Sequence, residues 1–470
     1  MRCLAVADSL ARAGWRTILA ARAGTEATVR AAAQMPTLAV PDVPVAEEPE
    51  ALERALPNGC DLLVVDSYAW TATEERASRR FARRVAVLDD FAATPHDADV
   101  VLDPTPGRDA AAYARDLAPG ATVLAGAAWA PLRRAIRARR RAALRARHGR
   151  GLGRILIAMG MTDPANATAR VLEGVAASTF GGGIDVVLGA AAPHREAVAS
   201  ALPARATLHL DPPDLPGLVA QADLAIGAGG VSALERACLG LPTLLVELAD
   251  NQRAAIAGLV AAGAALSIGP VGALSAAAIA EAISAVGRDE AALARMSAAA
   301  ALMCDGLGAA RAAIVLAPGR TRDGAAVDLR PATMGDASLL LAWQASPGMR
   351  TFSRNPQVPT HEEHTAWLTR CLADTDRTLS IIQVAGEPAG MLRLDRQDTV
   401  EERFEVSILV APSFQGRGIG RAALALAERL VPDALLLAEV LAGNLPSQAL
   451  FAGAGYRRTG ETMWQRQAAS

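Results

Sequence analysis

The chain has 470 residues, with 47 Lys and Arg against 49 Asp and Glu and a formal net charge of −2. That length exceeds what one hydrophobic core supports and predicts about three domains, while the balanced charge argues against a polyanion-binding protein. No apolar run reaches the ~18–20 residues of a transmembrane helix, no charged-then-apolar leader opens the chain, and the scattered cysteines (Cys3, Cys60, Cys238, Cys304, Cys371) give neither a disulfide framework nor a metal spacing.

The expectation is therefore a cytoplasmic protein that binds no metal, no nucleic acid and no membrane. Along residues 1–316 short apolar runs alternate with alanine-rich helical stretches, which predicts an α/β fold with parallel sheets. Strands are expected at 17–21, 62–66, 84–88, 100–102, 155–159, 184–188, 224–226 and 243–246. A run of arginines from Arg133 to Arg150 lacks interleaved aromatics, so it reads as a solvated helix joining two domains rather than a nucleic-acid patch. It divides the region into two doubly wound, Rossmann-like lobes, 1–148 and 149–316, whose strand ends would face a shared cleft.

Residues 317–326 carry turn and charged residues without periodicity and are expected to be a linker. From 327 to 470 the order changes to an α+β module. Strands are expected at 327–331, 379–384, 389–394, 404–410 and 435–440, with a last one after Tyr456. Helices are expected at 336–344, 361–372, 418–430 and 446–452.

Three strand-to-helix turns carry glycine and can hold phosphate, because a helix N-terminus offers unpaired N–H groups and glycine lets the backbone approach. They are Gly160-Met161-Thr162-Asp163, Gly227-Ala228-Gly229-Gly230 and Gln415-Gly416-Arg417-Gly418-Ile419-Gly420.

The last of these resembles the Q/R-x-x-G-x-G/A signature of the GNAT acetyltransferase superfamily, matched by Gln415, Gly418 and Gly420, with Asn444-Leu445-Pro446-Ser447 and Gly455-Tyr456 as its closing segment. The resemblance implies acetyl-CoA as cosubstrate, held by Gln415, Gly416, Arg417, Gly418, Gly420 and Asn444. It also implies an oxyanion site on the backbone near Leu409 and Val410. Glu405 is either a base acting through water or an ordinary strand carboxylate. Phe451 stands where the superfamily carries the tyrosine that reprotonates the thiolate, so that role is unassigned, and Tyr456 reads as a packing residue. The string from Trp343 through His364 to Trp367 is similar to GNAT enzymes that acetylate amino-sugar nucleotides. Taken alone these three residues read as core; within the string they form the acceptor wall.

Gly227–Glu235 and Glu247-Leu248-Ala249-Asp250-Asn251-Gln252 resemble the nucleotide-sugar half of the GT-B fold. With Asp66-Ser67-Tyr68, Leu88-Asp89-Asp90, His96 and Tyr113, residues 1–270 resemble the UDP-sugar hydrolases of pseudaminic acid biosynthesis. That resemblance implies diphosphate contacts at Gly229, Gly230 and Ser232 and UDP-sugar contacts at Glu235, Asn251 and Gln252. Tyr68 is then a catalytic-site residue, or otherwise a strand-end packing aromatic. The family opens with a strand, a glycine turn and a histidine regarded as general base; this sequence starts at the Met-Arg-Cys-Leu that follows them, so either they are expected upstream of Met1 or the first lobe lacks them and cannot hydrolyse as written.

The function expected is bifunctional: hydrolysis of UDP-2,4-diacetamido-2,4,6-trideoxy-altrose, and acetyl-CoA-dependent N-acetylation of the 4-amino sugar nucleotide. The alternatives are an acetyltransferase with a non-catalytic UDP-sugar-binding module, and a GT-B glycosyltransferase.

Overall fold

A computed structural model describes residues 1–22, 25, 35–114, 117–397 and 401–468. It comprises two compact units, Met1–Val6 with Ile18–Ala309, and Ala7–Thr17 with Ala310–Ser470.

In the first unit, β1 (Leu19–Arg22) and β2 (Thr37–Val40) pair in parallel. Separately, β3 (Leu63–Val65), β4 (Val85–Leu88), β5 (Val100–Asp103) and β6 (Thr122–Ala125) form a four-stranded parallel sheet in chain order. Among the described residues the first lobe thus holds two sheets, and β1 and β3 are each paired on one side only.

The second lobe is one six-stranded parallel sheet. Its strands are β7 (Arg154–Ala158), β8 (Gly183–Leu188), β9 (Ala206–Leu210), β10 (Leu224–Ala228), β11 (Thr243–Glu247) and β12 (Ala265–Pro270), ordered β12-β11-β10-β7-β8-β9. Helices cover both faces, so the central strands are continuously apolar. Ile155, Ile157, Ile226 and Leu244 pack to one side, and Leu156, Ala225 and Leu245 to the other. The chain leaves β7 in one direction and returns to β10 on its other flank. The switch point of the sheet therefore lies between these two strands, where open α/β sheets bind ligands.

The arginine-rich helix, Arg134–Arg147, corrects the expectation of a solvated connector. Ile136, Arg140, Ala143 and Arg147 recur at helical spacing and are buried against the second lobe. Arg140 donates to the carbonyls of Ala301 (2.7 Å), Cys304 (2.9 Å) and Cys238. Arg147 donates to those of Ala222 (3.1 Å), Ala220 (3.2 Å), Val219 and Leu239. These carbonyls lie at the C-terminal ends of the helices Leu215–Gln221, Val231–Cys238 and Glu290–Met303. Two guanidiniums thus satisfy the orphan acceptors of three helix ends. Burial draws the Arg147 pKa down to about 10. The helix belongs to the second lobe, so the expected boundary at 148/149 falls in the wrong place.

Against the expectation of no membrane-length apolar segment, Glu290–Leu316 passes by length and composition. Yet 61% of its most apolar window is buried inside the protein, and residues 304–307 break it into two helices.

The second unit is built on an eight-stranded sheet. Its strands are β13 (Gly319–Arg320), β14 (Ala326–Pro331), β15 (Arg377–Val384), β16 (Glu387–Arg396), β17 (Arg403–Val410), β18 (Leu435–Glu439), β19 (Arg457–Arg458) and β20 (Met463–Arg466), ordered β13-β14-β15-β16-β17-β18-β20-β19. All neighbours run antiparallel except β17 and β18. That parallel pairing covers only Arg403–Glu405 with Leu435–Leu437, after which the strands part. The expected linker at 317–326 is part of this unit. It supplies β13, the Arg322 amide bonds the Arg417 carbonyl at 2.9 Å, and Arg429 holds the Ala317 carbonyl at 2.6 Å.

Candidate functional site

A cavity of about 1100 Å³ opens where β17 and β18 part. Its floor is the glycine loop. Gly416 and Gly418 hold φ of +80° and +83°, a left-handed region that favours glycine. A Cβ on Gly416 would meet nothing within 4 Å, so backbone faces open space there. Gly418 is the N-cap of the helix Ile419–Leu430, and no side chain caps that end. Its first N–H groups are therefore free to take an anion. A capped N-terminus would have argued for a simple turn.

Strand pairing decides which backbone donor faces the gap. The Ala411 amide bonds the Ala389 carbonyl, and Val410 sits opposite Gly390. Amides alternate along a strand, so Leu409 points at β16 and Val410 at the cavity. Of the two residues expected near the oxyanion site, only Val410 has its N–H available. Gln415 Nε2 donates to the Val410 carbonyl at 3.3 Å, tying the loop to the strand end. Asn444 caps the helix Leu445–Gly453 through Oδ1, which accepts from the Ser447 amide at 3.1 Å. The Arg417 side chain departs from the expected cofactor contact: it pairs with Asp323 at 3.0 Å and lies over the Phe414 ring, outside the cavity lining.

The acceptor wall is partly corrected. Trp343 is buried among Leu340, Leu368 and Ile381, and is a core residue. His364 and Trp367 do line the cavity, their rings 5.3 Å apart. His364 is 2% exposed, and its Nε2 is buried without a partner among the described residues. Burial pushes its pKa below the ordinary histidine value. Glu405 reaches the cavity but is ion-paired to Arg354 at 2.8 Å, and Arg354 also holds Glu439. Arg354 falls within the string from Trp343 to Trp367, whereas Glu439 was not foreseen. Phe451 is buried on the lining. Behind it Tyr456 stacks edge-on at 5.0 Å, its hydroxyl buried without a partner, which confirms a packing role.

In the first unit, two of the glycine turns flank the switch point, and they differ. The turn after β7 is closed: Asp163 accepts from the amides of Ala167 and Thr168, both at 2.9 Å. A carboxylate fills the anion position, which corrects the expectation of phosphate there. The turn after β10 is open, because Gly230 caps the helix Val231–Cys238 without a side chain. Gly229 is required by packing, since a Cβ would stand 2.3 Å from Ile256 Cγ1. Gln252 folds over this loop, its Oε1 accepting from the amides of Gly229 and Leu248, both at 3.2 Å. Asn251 lies in the same short turn, Asp250–Gln252. Ser232 Oγ accepts from Arg236 at 3.3 Å, and Glu235 pairs with Arg133 at 3.3 Å. The six predicted contacts thus belong to one loop, the helix it opens and the turn covering it.

Tyr68 follows β3 and is 61% exposed, with its ring edge-on to Phe91 at 5.1 Å. Its hydroxyl donates to Asp90 at 3.0 Å, and Arg2 bonds both Asp90 (3.0 Å) and Asp66 (2.6 Å). Burial pushes Asp90 above the usual carboxylate range, against the pull of Arg2. Beneath it lies a buried network. His96 bonds Glu75 at 2.8 Å and lies 3.6 Å from Asp89, which takes the Tyr113 hydroxyl at 2.8 Å. Burial would lower the His96 pKa, but its two carboxylates raise it to about 9.

The acetyltransferase (GNAT) domain family matches residues 327–457. That region is a GNAT domain. An acetyltransferase from Thermus thermophilus is 27% identical over 30% of this chain and 96% of its own, with a TM-score of 0.27. The N-terminal region is similar to the spore coat polysaccharide biosynthesis protein SpsG of Bacillus subtilis. The identity is 34% over 119 residues, which is 24% of this chain and 35% of that protein. The chain therefore spans about a third of the length of this relative. The Acinetobacter baumannii MurG structure is 16% identical over 67% of this chain and 94% of its own, with a TM-score of 0.48.

Proposed function

We propose that the GNAT domain transfers acetyl from acetyl-CoA to the 4-amino group of a UDP-linked 4-amino-4,6-dideoxy sugar. The observation that carries this reading is one continuous cavity running from an uncapped helix N-terminus to the half-buried Trp367 face. The first end suits a pyrophosphate and the second the apolar face of a sugar ring. The Val410 N–H would meet the oxyanion that develops on the thioester carbonyl. His364 suits the proton-accepting role, being neutral at neutral pH with Nε2 unpartnered beside the cavity. Glu405 is already engaged by Arg354 and would hold the acceptor rather than take its proton.

The first unit we read as a UDP-sugar module that hydrolyses the acetylated product, as in pseudaminic acid synthesis. Tyr68, exposed and bonded to the half-buried Asp90 at the carboxyl end of its sheet, supports catalysis there. The second reading, a module that only binds UDP-sugar, is favoured by the complete glycine loop and its Gln252 cover.

The test is thiol release from acetyl-CoA with the UDP-amino sugar against spermidine and a peptide amine as acceptors, together with UDP release. Preference for the sugar supports the acceptor assignment, and preference for either other amine overturns it. UDP release decides between hydrolysis and binding alone.

A further inference from the structure

The open glycine loop after β10 rests on a cation. Arg236 turns back from the helix Val231–Cys238 beneath Gly227–Gly230, donating Nη2 to the Ala228 carbonyl at 2.6 Å and Nη1 to Ser232 Oγ at 3.3 Å. A Cβ on Gly227 would lie 2.9 Å from Nη1, so guanidinium and loop backbone are in contact. Arg236 is 1% exposed, and among the described residues its Nε has no partner. The carboxylate that acts on it is the neighbouring Glu235, itself ion-paired to Arg133. Burial lowers the Arg236 pKa to about 10, which leaves it cationic at neutral pH.

Taking a guanidinium out of water without an ion-pair partner costs several kcal/mol. Hydrogen bonds to one carbonyl and one hydroxyl return part of that, and a neutral side chain would avoid it. Arg140 and Arg147 show the other use of buried arginine here, closing helix C-termini. Arg236 differs because its charge lies at the N-terminal end of its helix, where it adds to the positive end of the dipole and cannot offset it.

Resting on the reading of this loop as a nucleotide-diphosphate site, we propose that Arg236 is the standing counter-charge for the ligand's diphosphate. It acts through the loop without touching the ligand, and is a positioning residue. The unliganded protein carries an uncompensated charge that the ligand neutralises.

The experiment uses the full chain with Arg236→Met and Arg236→Lys. Calorimetric titrations with UDP, inorganic pyrophosphate and uridine are made at two salt concentrations, alongside thermal unfolding without ligand. The methionine variant is expected to unfold within a few degrees of the parent or above it, and to lose at least tenfold in affinity for UDP and pyrophosphate, with a weaker salt dependence. Uridine binding is expected unchanged. The lysine variant is expected to keep most of the pyrophosphate affinity. A methionine variant that unfolds earlier yet binds UDP like the parent assigns Arg236 to structure and overturns the proposal. A lysine variant that loses tenfold or more in pyrophosphate affinity against the parent makes the hydrogen bonds responsible, which also overturns it, and this arm stands by itself if methionine does not fold. Failure of the parent to bind either UDP or pyrophosphate is a separate outcome that removes the site reading itself.

Discussion

Replacing Gly418 by alanine isolates what the CoA loop owes to backbone conformation. The residue holds φ of +83°, and an L side chain in the left-handed region costs roughly 1–2 kcal/mol. The added methyl would sit 2.9 Å from Arg322 Cγ, part of an exposed, flexible side chain that can yield. Backbone strain is thus the main term. If the loop relaxes to relieve it, the amides of Ile419 and its successors turn from the cavity. At about 1.4 kcal/mol per tenfold, CoA affinity then falls roughly 5- to 30-fold. Gly420→Ala is the control. That position lies inside the helix without positive φ, and the nearest atoms to its Cβ would be Leu450 side-chain atoms from 3.1 Å. Helix propensity favours alanine there by about 1 kcal/mol, offsetting the tight contact. Calorimetric titration of each full-length variant with CoA measures the difference. Parent-like affinity in Gly418→Ala, or a larger loss in Gly420→Ala, would refute the assignment of this loop to the pyrophosphate.

The two tryptophans should separate by phenotype. Trp343→Ala, in the core, is expected to lower stability by about 3–5 kcal/mol in urea titrations, whereas Trp367→Ala, on the cavity, should chiefly raise KM for the acceptor. Arg354→Ala frees Glu405 and Glu439 and is expected to change acceptor KM with little effect on CoA binding; weakened CoA binding would place Arg354 with the cofactor instead. His96, raised from its ordinary value to about 9, stabilises the fold fully below about pH 6.5 and loses that contribution as pH rises through 9. The shift corresponds to up to roughly 3 kcal/mol. Urea midpoints of the first unit should decline across that window, and His96→Gln should flatten the decline.

How far the sequence could be read depended on burial. The eight strands expected in the first 316 residues are present, because most are flanked on both sides and their apolar runs are unbroken. The strands it did not reveal, β2, β6, β9 and β12, are all sheet edges, where one side meets solvent and periodicity fails. β12 reads Ala265–Pro270 with only its first residue buried. β13 is two residues long, below any periodic signal, and so passed for a linker. The glycine loops were legible because their requirement is local. The Arg354–Glu405–Glu439 cluster was not, since its members are brought together across 51 and 85 residues. Nor could composition separate the two arginines that cap helix ends from their solvated neighbours. Their alternation at spacings of four and three with Ile136 and Ala143 was the available clue. Trp343 failed in the opposite sense: its motif context pointed to a ligand wall, while helical packing turned it inward.

The arginine-rich helix also dictates where the chain can be cut. A fragment beginning at residue 149 would retain the whole six-stranded sheet, yet strip the guanidiniums from three helix ends and uncover the apolar groove that received Ile136 and Ala143. Such a fragment should be poorly soluble, while one that starts ahead of Ala127 carries its own clasp and should be well behaved.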